Sequence, residues 1–151
     1  MLHKTLSNEK FCDMMEEHIE DILGYLFEEN INFSILTNVA DIDFEPPLPS
    51  HITETFKPIT MFVLAGYTFE SSLIEDGVLS FEAGFGSENI GSLVSIPLLA
   101  ILQIIVEETP IFINLSITES LRDRRKEVDK GVKKSMEALL SNPENKKLLK
   151  K

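Results

Sequence analysis

The hydrophobic periodicity of the chain changes near residue 30, and this change constrains the fold more than any other feature. Over residues 9–29 apolar side chains recur every three or four positions, which is the spacing of a helix with one buried face. Asn30 tolerates the left-handed conformation that closes many helices, so we place the helix end there. The apolar stripe comprises Phe11, Met15, Ile19, Ile22 and Leu26, widened by Cys12, Leu23 and Phe27.

Between residues 32 and 95 the pattern is that of β-strands. Pro46, Pro47 and Pro49 interrupt it and mark a loop. Glu75-Asp76-Gly77 predicts a hairpin turn, because Asp and Gly tolerate the positive φ angles of a two-residue turn. We therefore predict strands over residues 32–39, 41–45, 59–66, 67–74 and 78–85, followed by a glycine-containing connection to residues 93–95.

The last third of the chain is predicted to hold two helices. Residues 96–108 are apolar and carry Pro97 in the first turn, where a helical N–H has no partner, so we predict a buried helix. Pro110 ends it, and a closing strand follows over residues 111–115. Ser116-Ile-Thr-Glu119 has the form of a capping box that opens a helix running to about residue 140.

The predicted fold class is α+β. Residues 1–116 form an N-terminal amphipathic helix packed on a small, mostly antiparallel two-sheet β module. Residues 117–140 form a basic C-terminal helix, and residues 141–151 form a tail that could dock on a partner.

Charge is distributed unevenly along the chain. Residues 1–120 hold 20 acidic residues against three lysines, a net charge of −17, whereas residues 121–151 hold 11 basic against five acidic residues, a net charge of +6. An acidic body repels phosphate backbones, so we expect no sequence-specific binding of nucleic acid by the main domain. Charge runs are most often solvated helix faces, but the basic segment could also contact RNA or an acidic protein surface.

Motifs that carry catalysis or bind a cofactor are missing from the sequence. It lacks zinc-protease, nucleophile-elbow, Cys-x-x-Cys and phosphate-loop patterns, and its three histidines are not at metal-ligand spacing. Cys12 lies on the apolar stripe, where a thiol behaves as a small hydrophobic side chain. Asp41, Asp43 and Glu45 alternate along one predicted strand, which favours the solvent face of an edge strand over a cation site. We therefore expect no enzymatic activity, no cofactor and no metal.

The sequence also gives no sign of a membrane span or of secretion. The longest apolar segment, residues 92–106, is shorter than the roughly 20 residues that cross a bilayer. The first ten residues lack the apolar stretch of a secretory signal. Cys12 is the single cysteine, which fits a reducing compartment, so we expect a cytoplasmic protein.

Two consecutive segments resemble the stringent starvation protein B (SspB) family. Phe81-Glu-Ala-Gly-Phe-Gly-Ser87 is similar to the family's Phe-x-Ala-x-Phe-Gly-Gly strand, and Val94-Ser-Ile-Pro-Leu98 is similar to its Val-Ser-Val-Pro-Leu segment. The upstream order of a helix, a strand and the proline-flanked Pro46-Pro-Leu-Pro49 also resembles the family. The likeness extends over roughly residues 11–115.

This resemblance implies a non-enzymatic adaptor for protein degradation. SspB proteins dimerise through the N-terminal helix, bind the ssrA tag of incomplete proteins in a groove, and are tethered to the ClpX unfoldase by a C-terminal peptide. Carried over to this chain, the resemblance implies a homodimer interface at Phe11, Met15, Ile19 and Ile22, and docking on ClpX through Leu148, Leu149 and Lys150. It implies a peptide groove lined by Phe81, Ala83, Phe85, Gly86, Val94, Ser95 and Ile96.

The chain departs from the family in two places, and other classes remain open. Gly84 stands where family members can carry arginine, and residues 87–93 include no basic side chain, so the groove is predicted to prefer a less acidic peptide than the ssrA tag. A basic segment replaces the family's long acidic linker. The alternative is a protein like the type III secretion chaperones, which hold an extended effector segment. A third class is an interaction subunit that docks by its basic C-terminal helix.

Overall fold

The fold consists of an N-terminal helical segment and two four-stranded sheets. The computed structural model describes residues 1–117, which form one compact unit. The helices are α1 (Leu2–Leu6), α2 (Glu9–Glu28), α3 (Ser50–Thr53) and α4 (Gly66–Glu70), and 3-10 turns cover Val39–Asp41 and Leu98–Ala100. The strands are β1 (Phe33–Asn38), β2 (Asp43–Glu45), β3 (Ile59–Leu64), β4 (Leu73–Glu75), β5 (Val78–Phe85), β6 (Ile90–Pro97), β7 (Ile101–Val106) and β8 (Thr109–Ile113).

All strand pairings in the two sheets are antiparallel. Sheet A has the order β3-β1-β7-β8, and sheet B has the order β2-β6-β5-β4. The predicted α+β class, with an N-terminal helix and two small antiparallel sheets, is confirmed. The predicted basic helix and tail lie outside the described residues, except for Ile117.

Helix α2 has the bounds that its apolar stripe predicts. The Asn8 side chain accepts a hydrogen bond from the backbone N–H of Lys10 and caps the start, and Asn30 adopts a positive φ of 56° just past the end. Ile19, Leu23 and Leu26 are buried in the core. The helix packs against the Leu98–Ala100 turn, which joins sheet B to sheet A.

The inner faces of the two sheets meet in one apolar core. Ile35 and Ile104 of sheet A and Leu79 and Val94 of sheet B are fully buried there. Phe62 of β3 and Phe81 of β5 join the two sheets directly, with ring centroids 5.9 Å apart in an edge-to-face arrangement. Burial of each such side chain contributes about 1.5–3 kcal/mol to stability.

The hairpin signal in sheet B is confirmed. Asp76 and Gly77 both have positive φ, 52° and 74°, and they connect β4 to β5. This backbone matches the right-handed twist of the flanking strands, which is why Asp-Gly occurs at such turns. β5 spans residues 78–85, as predicted.

The predicted buried helix over residues 96–108 is wrong. β6 continues through Pro97, a 3-10 turn follows, and β7 occupies Ile101–Val106 at the centre of sheet A. Its isoleucines and valine are β-branched and pack well on a pleated surface, and Ile101 and Ile104 are buried in the core. Glu107 and Glu108 both have positive φ and form the turn to β8.

Three local predictions also need correction. The predicted strand over residues 67–74 is replaced by α4 and the short β4. Pro110 lies within β8 instead of ending a helix, which an edge strand tolerates because one row of its N–H groups has no ladder partner. Asp41 is fully buried in a 3-10 turn, so it does not share an exposed strand face with Asp43 and Glu45.

Candidate functional site

The predicted peptide-binding residues lie together on the β5–β6 hairpin, but most of their side chains face the core. In the ladder Phe81 pairs with Val94, and both side chains are fully buried, as is Ile96. They support the hairpin from below and offer no side-chain atoms to a ligand. Ser95 is half-buried, and its Oγ lies 3.4 Å from Ser80 Oγ.

Phe85 and Gly86 stabilise the end of this hairpin. The ring of Phe85 packs against Phe44, Phe56 and Phe62 at centroid distances of 5.8, 6.0 and 6.4 Å. Gly86 has a φ of 74°, and a Cβ added there would lie 2.5 Å from Ile52 Cδ1. The positive φ therefore favours glycine at this turn, and an added side chain would also have to displace the end of the Ile52 side chain.

Ala83 belongs to an open groove of about 540 Å³ on sheet B. Its floor is formed by β5 and β6, one wall by α4 and the other by the Glu45-Pro46 end of β2. The Ser92 hydroxyl donates to the Pro46 carbonyl at 3.1 Å and ties the second wall to β6. The side chains along the groove are Ala65, Tyr67, Thr68, Glu82, Asn89 and Leu93.

Only one of two facing glycines leaves open space on the floor of the groove. Gly84 and Gly91 face each other across the β5–β6 ladder. A Cβ at Gly84 would overlap the Asn89 side chain, whereas a Cβ at Gly91 would meet no heavy atom within 4 Å. The space above Gly91 is therefore open, and a polypeptide backbone can approach the sheet closely there. Leu93 is 41 % exposed and supplies the apolar part of the floor.

Among the described residues, more than half of the β5 edge next to the groove has no strand partner. Within the described residues, β4 pairs with β5 only from Val78 to Ser80. Beyond that point the Glu82 N–H donates to Ser71 Oγ at 2.9 Å, which shows that the main chain of Glu82 points away from β6. Main-chain direction repeats every second residue in a strand, so the Gly84 N–H and carbonyl point to the same side.

The groove carries negative charge. Glu45 and Glu82 flank Leu93 in neighbouring strands, and no basic residue lines the groove among residues 1–117. The Tyr67 hydroxyl donates to Glu82 Oε2 at 3.2 Å across the groove wall. This hydrogen bond and the charge of Glu82 raise the pKa of Tyr67, so the phenol remains a neutral donor at physiological pH.

The four residues predicted for dimerisation are not equally accessible. Ile19 is fully buried in the core of its own chain, while Phe11, Met15 and Ile22 are half-buried along α2. The exposed side of the same helix carries Glu17, Glu20, Asp21 and Glu28. The residues predicted to dock on ClpX, Leu148, Leu149 and Lys150, lie outside the part of the chain that the structure describes.

Sequence reasoning missed both walls of the groove and the exposed part of its floor. The predicted strand over residues 67–74 includes Tyr67 and Thr68, so it does not anticipate a wall formed by α4. Alternation along β6 does carry the missing signal. If Val94 faces the core, then Gly91 and Leu93 belong to the opposite face.

No protein-family model matches this chain, and no curated protein matches it significantly. In residues 1–117 no helix is both long and apolar enough to cross a membrane.

Proposed function

We propose that this protein is a non-enzymatic adaptor that binds unstructured peptide in the groove of sheet B and delivers the bound client to an unfoldase. One observation carries the proposal: the part of the β5 edge that has no strand partner among the described residues borders an open groove whose floor is low at Gly91. An extended peptide that lies against such an edge gains main-chain hydrogen bonds and needs little side-chain complementarity. This recognition suits tags and unfolded segments, which share a backbone more than a sequence.

Main-chain recognition centres on Gly84. Its N–H and carbonyl lie on the free side of β5, and α4 leaves space there instead of adding a strand. Gly91 and Leu93 lie one strand away from this edge, on the outer face of β6. Alternate side chains of a bound peptide would therefore lie on the outer face, which carries Leu93, and on the opposite face of the sheet.

The charges of the groove favour neutral or basic peptides. Glu45 and Glu82 are on either side of Leu93, so an acidic peptide side chain placed there would be repelled by both carboxylates. Peptides of the ssrA class with few acidic residues are the favoured clients. Affinity for basic peptides should fall as salt rises, because exposed charges are screened.

Delivery to ClpX is the second part of the proposal, and the resemblance to SspB supports it. Leu148, Leu149 and Lys150 would form the tether peptide, and Cys12 as the single cysteine agrees with action in the cytoplasm. Tethering raises the local concentration of the client at the unfoldase without any new client contact.

Peptide binding is tested by a matched pair of glycine substitutions in the full chain. Gly91→Leu fills the open space above the floor, and Gly24→Leu adds the same side chain on α2, where a Cβ also meets nothing within 4 Å. We expect wild-type protein to bind a fluorescent ssrA-type peptide with roughly micromolar affinity, about 8 kcal/mol, in fluorescence anisotropy. Gly91→Leu should weaken binding at least about tenfold, and Gly24→Leu should leave it unchanged.

Equal affinity of the two variants would place the peptide elsewhere. A wild-type protein that binds neither tag peptides nor a pool of random neutral and basic peptides would contradict peptide binding altogether. Ala83→Arg is a less suitable variant, because Ala83 packs partly against the core and its loss could unfold the domain.

Delivery is tested separately with a tagged fluorescent protein and purified ClpXP. Replacing Leu148 and Leu149 by Asp in the full chain should remove the acceleration of degradation at low substrate concentration while preserving peptide affinity. Full acceleration by this variant would show that the C-terminal residues do not recruit the unfoldase.

A further inference from the structure

The β5 edge offers its main chain to a peptide at Gly84 and not at Glu82. The Glu82 N–H already donates to Ser71 Oγ at 2.9 Å, so its donor is occupied. The Gly84 N–H and carbonyl point to the same side of β5, and no strand of the described residues pairs with them. A peptide strand on this edge would therefore pair with Gly84 and end beside α4.

The peptide residue opposite Gly84 would carry its side chain on the outer face of sheet B. Directly opposite residues of an antiparallel pair point to the same face, and Gly84 shares the exposed face of β5 with Glu82. The route straight across Gly84 is closed, because the Asn89 side chain lies where a Cβ of Gly84 would be. A long side chain would therefore turn along the strand to a diagonal neighbour, about 7–8 Å away. Gly86 has no side chain to meet it, whereas Glu82 has a carboxylate.

Helix α4 places a phenol beside this carboxylate. Tyr67 is 64 % exposed, and its hydroxyl donates to Glu82 Oε2 at 3.2 Å. The hydrogen bond holds the Glu82 side chain near the α4 wall, at the end of the free edge. Oε1 of Glu82 accepts no hydrogen bond from the side chains of residues 1–117, so it can accept one from a ligand.

A second carboxylate acts at the same place. The hydrogen bond and the charge of Glu82 raise the pKa of Tyr67, and the charge of Glu70 raises it further. The Glu70 carboxylate is therefore close enough to act on a charge at the Tyr67 hydroxyl. None of the three lysines of residues 1–117 lines the groove, and these residues include no arginine. The described part of the chain thus supplies an anionic position beside an exposed ring but no cation to occupy it.

We propose that the Tyr67–Glu82 pair is a subsite for one lysine or arginine side chain of a client peptide, carried by the residue that pairs with Gly84. This subsite rests on the proposed function, and it assigns the preference for basic peptides to one peptide position and not to the net charge of the groove. The methylene stem would lie on the groove surface, and the cation would contact Glu82 Oε1 beside the ring of Tyr67.

Glu45 provides a comparison within the same groove. Glu45 and Glu82 pair with Leu93 from opposite sides, so β6 separates them. A peptide on the β5 edge would be one strand from Glu82 and three strands from Glu45, or about 14 Å at about 4.8 Å per strand. That separation exceeds the Debye length of about 8 Å at physiological salt. Only Glu82 can therefore hold the cation directly.

The test uses three fluorescent peptides that are neutral except for one central residue, which is lysine, norleucine or glutamate. Their affinities for the full chain are measured by fluorescence anisotropy at physiological salt. We expect wild-type protein to bind the lysine peptide about fivefold more tightly than the norleucine peptide, through an exposed ion pair and a cation–π contact. Glu82→Gln should reduce this ratio to about one to two, because only the contact with the ring remains. Glu45→Gln removes the same charge from the groove and should leave the ratio within about twofold of wild type.

Tyr67→Phe tests whether the hydroxyl positions Glu82. The ring remains, so affinity for the norleucine peptide should be unchanged, while the preference for lysine should fall about twofold because the carboxylate is no longer held. Glu82→Lys should reverse the preference and favour the glutamate peptide over the lysine peptide. Glu45→Lys should not reverse it.

Equal affinity of wild-type protein for the lysine and norleucine peptides would overturn the subsite and leave peptide binding by the groove intact. An equal fall of the ratio in Glu82→Gln and Glu45→Gln would also overturn it, and would assign the basic preference to net charge. If none of the three peptides binds, both the subsite and the proposed function are wrong.

Discussion

The two sheets have the same number of strands and the same antiparallel pairing, yet their outer faces are opposites. Sheet A presents Met61, Val63 and Ile113 on strands without a single charge, whereas sheet B presents acidic residues around a groove. The strand lengths explain the groove. β2 and β4 have three residues each, while β5 and β6 have eight, so the hairpin extends past its neighbours and leaves the β5 edge without a strand.

This difference suits the outer faces of the two sheets to different kinds of partner. A complete sheet with an apolar face is suited to another folded surface, because both partners bury preformed side chains. An incomplete sheet with free main-chain groups is suited to an unfolded segment, because the segment supplies the missing strand. The predictions below test whether the two sheets share one core but serve different partners.

The largest effect is expected where the inner faces meet. Phe81→Ala removes a fully buried ring of sheet B that contacts Phe62 of sheet A. We expect a loss of about 3–5 kcal/mol in the free energy of unfolding, measured by urea denaturation. The substitution removes the buried apolar surface of the ring, and the surrounding side chains do not fill the cavity that it leaves. Tyrosine fluorescence and circular dichroism should follow the same transition. Two separate transitions would show that the sheets are independent and would break the comparison.

An intermediate effect distinguishes two glycines of sheet B. Gly77 has a φ of 74°, and an added Cβ would lie 3.1 Å from Glu16 Oε2, so Gly77→Ala should reduce stability by about 1–2 kcal/mol. Gly91 is in open space without a positive φ, so Gly91→Ala should leave thermal stability within about 0.5 kcal/mol of wild type and weaken peptide binding. A large stability loss from Gly91→Ala would mean that this glycine supports the fold and not the groove.

The smallest effect on stability is expected at Glu16 of α2, which lies against the Gly77 turn of sheet B. Burial raises the pKa of Glu16, and the charges of Asp13 and Glu20 raise it further. The Glu16 carboxyl therefore binds a proton more readily in the folded protein than in the unfolded chain. Its contribution to stability is fully present below about pH 4.5, and it is lost as the pH rises through the pKa of the folded state. Glu16→Gln should slightly raise the thermal midpoint at pH 7, with no gain at pH 4.

Glu17→Gln is the matched control for that substitution. It removes the same charge from an exposed neighbour on the same helix. If both variants change the midpoint equally, the effect comes from net charge and not from the position of Glu16 over the Gly77 turn.

Much of the fold could be predicted where the local signals agreed. The stripe of α2, the Asn30 stop and the Asp76-Gly77 turn each combine a periodicity with a residue that suits an unusual backbone angle. The segment after residue 95 could not be assigned in the same way. A short apolar run is compatible with a buried helix or a central strand, and only its neighbours β1 and β8 decide between them.

The groove of sheet B could be predicted only in part from the sequence, because its walls are distant from its floor along the chain. The motif around Phe81 and Val94 lies on the hairpin that forms the floor of the groove, but a motif does not say which face of a strand is exposed. The walls depend on α4 and on the loop after β2, which approach the hairpin only in three dimensions. Residues such as Tyr67 and Glu45 have no local pattern that would connect them with Gly91.

The central claim is that sheet B binds extended peptide while sheet A does not. Amide chemical shifts of the ¹⁵N-labelled full chain, recorded during titration with an ssrA-type peptide and a basic random peptide, test it most directly. We predict saturable shifts at Gly84, Gly91 and Leu93, with Met61, Gln103 and Ile113 unchanged at constant protein concentration. Shifts confined to sheet A, or none at the three groove residues up to about 1 mM peptide, would contradict the claim.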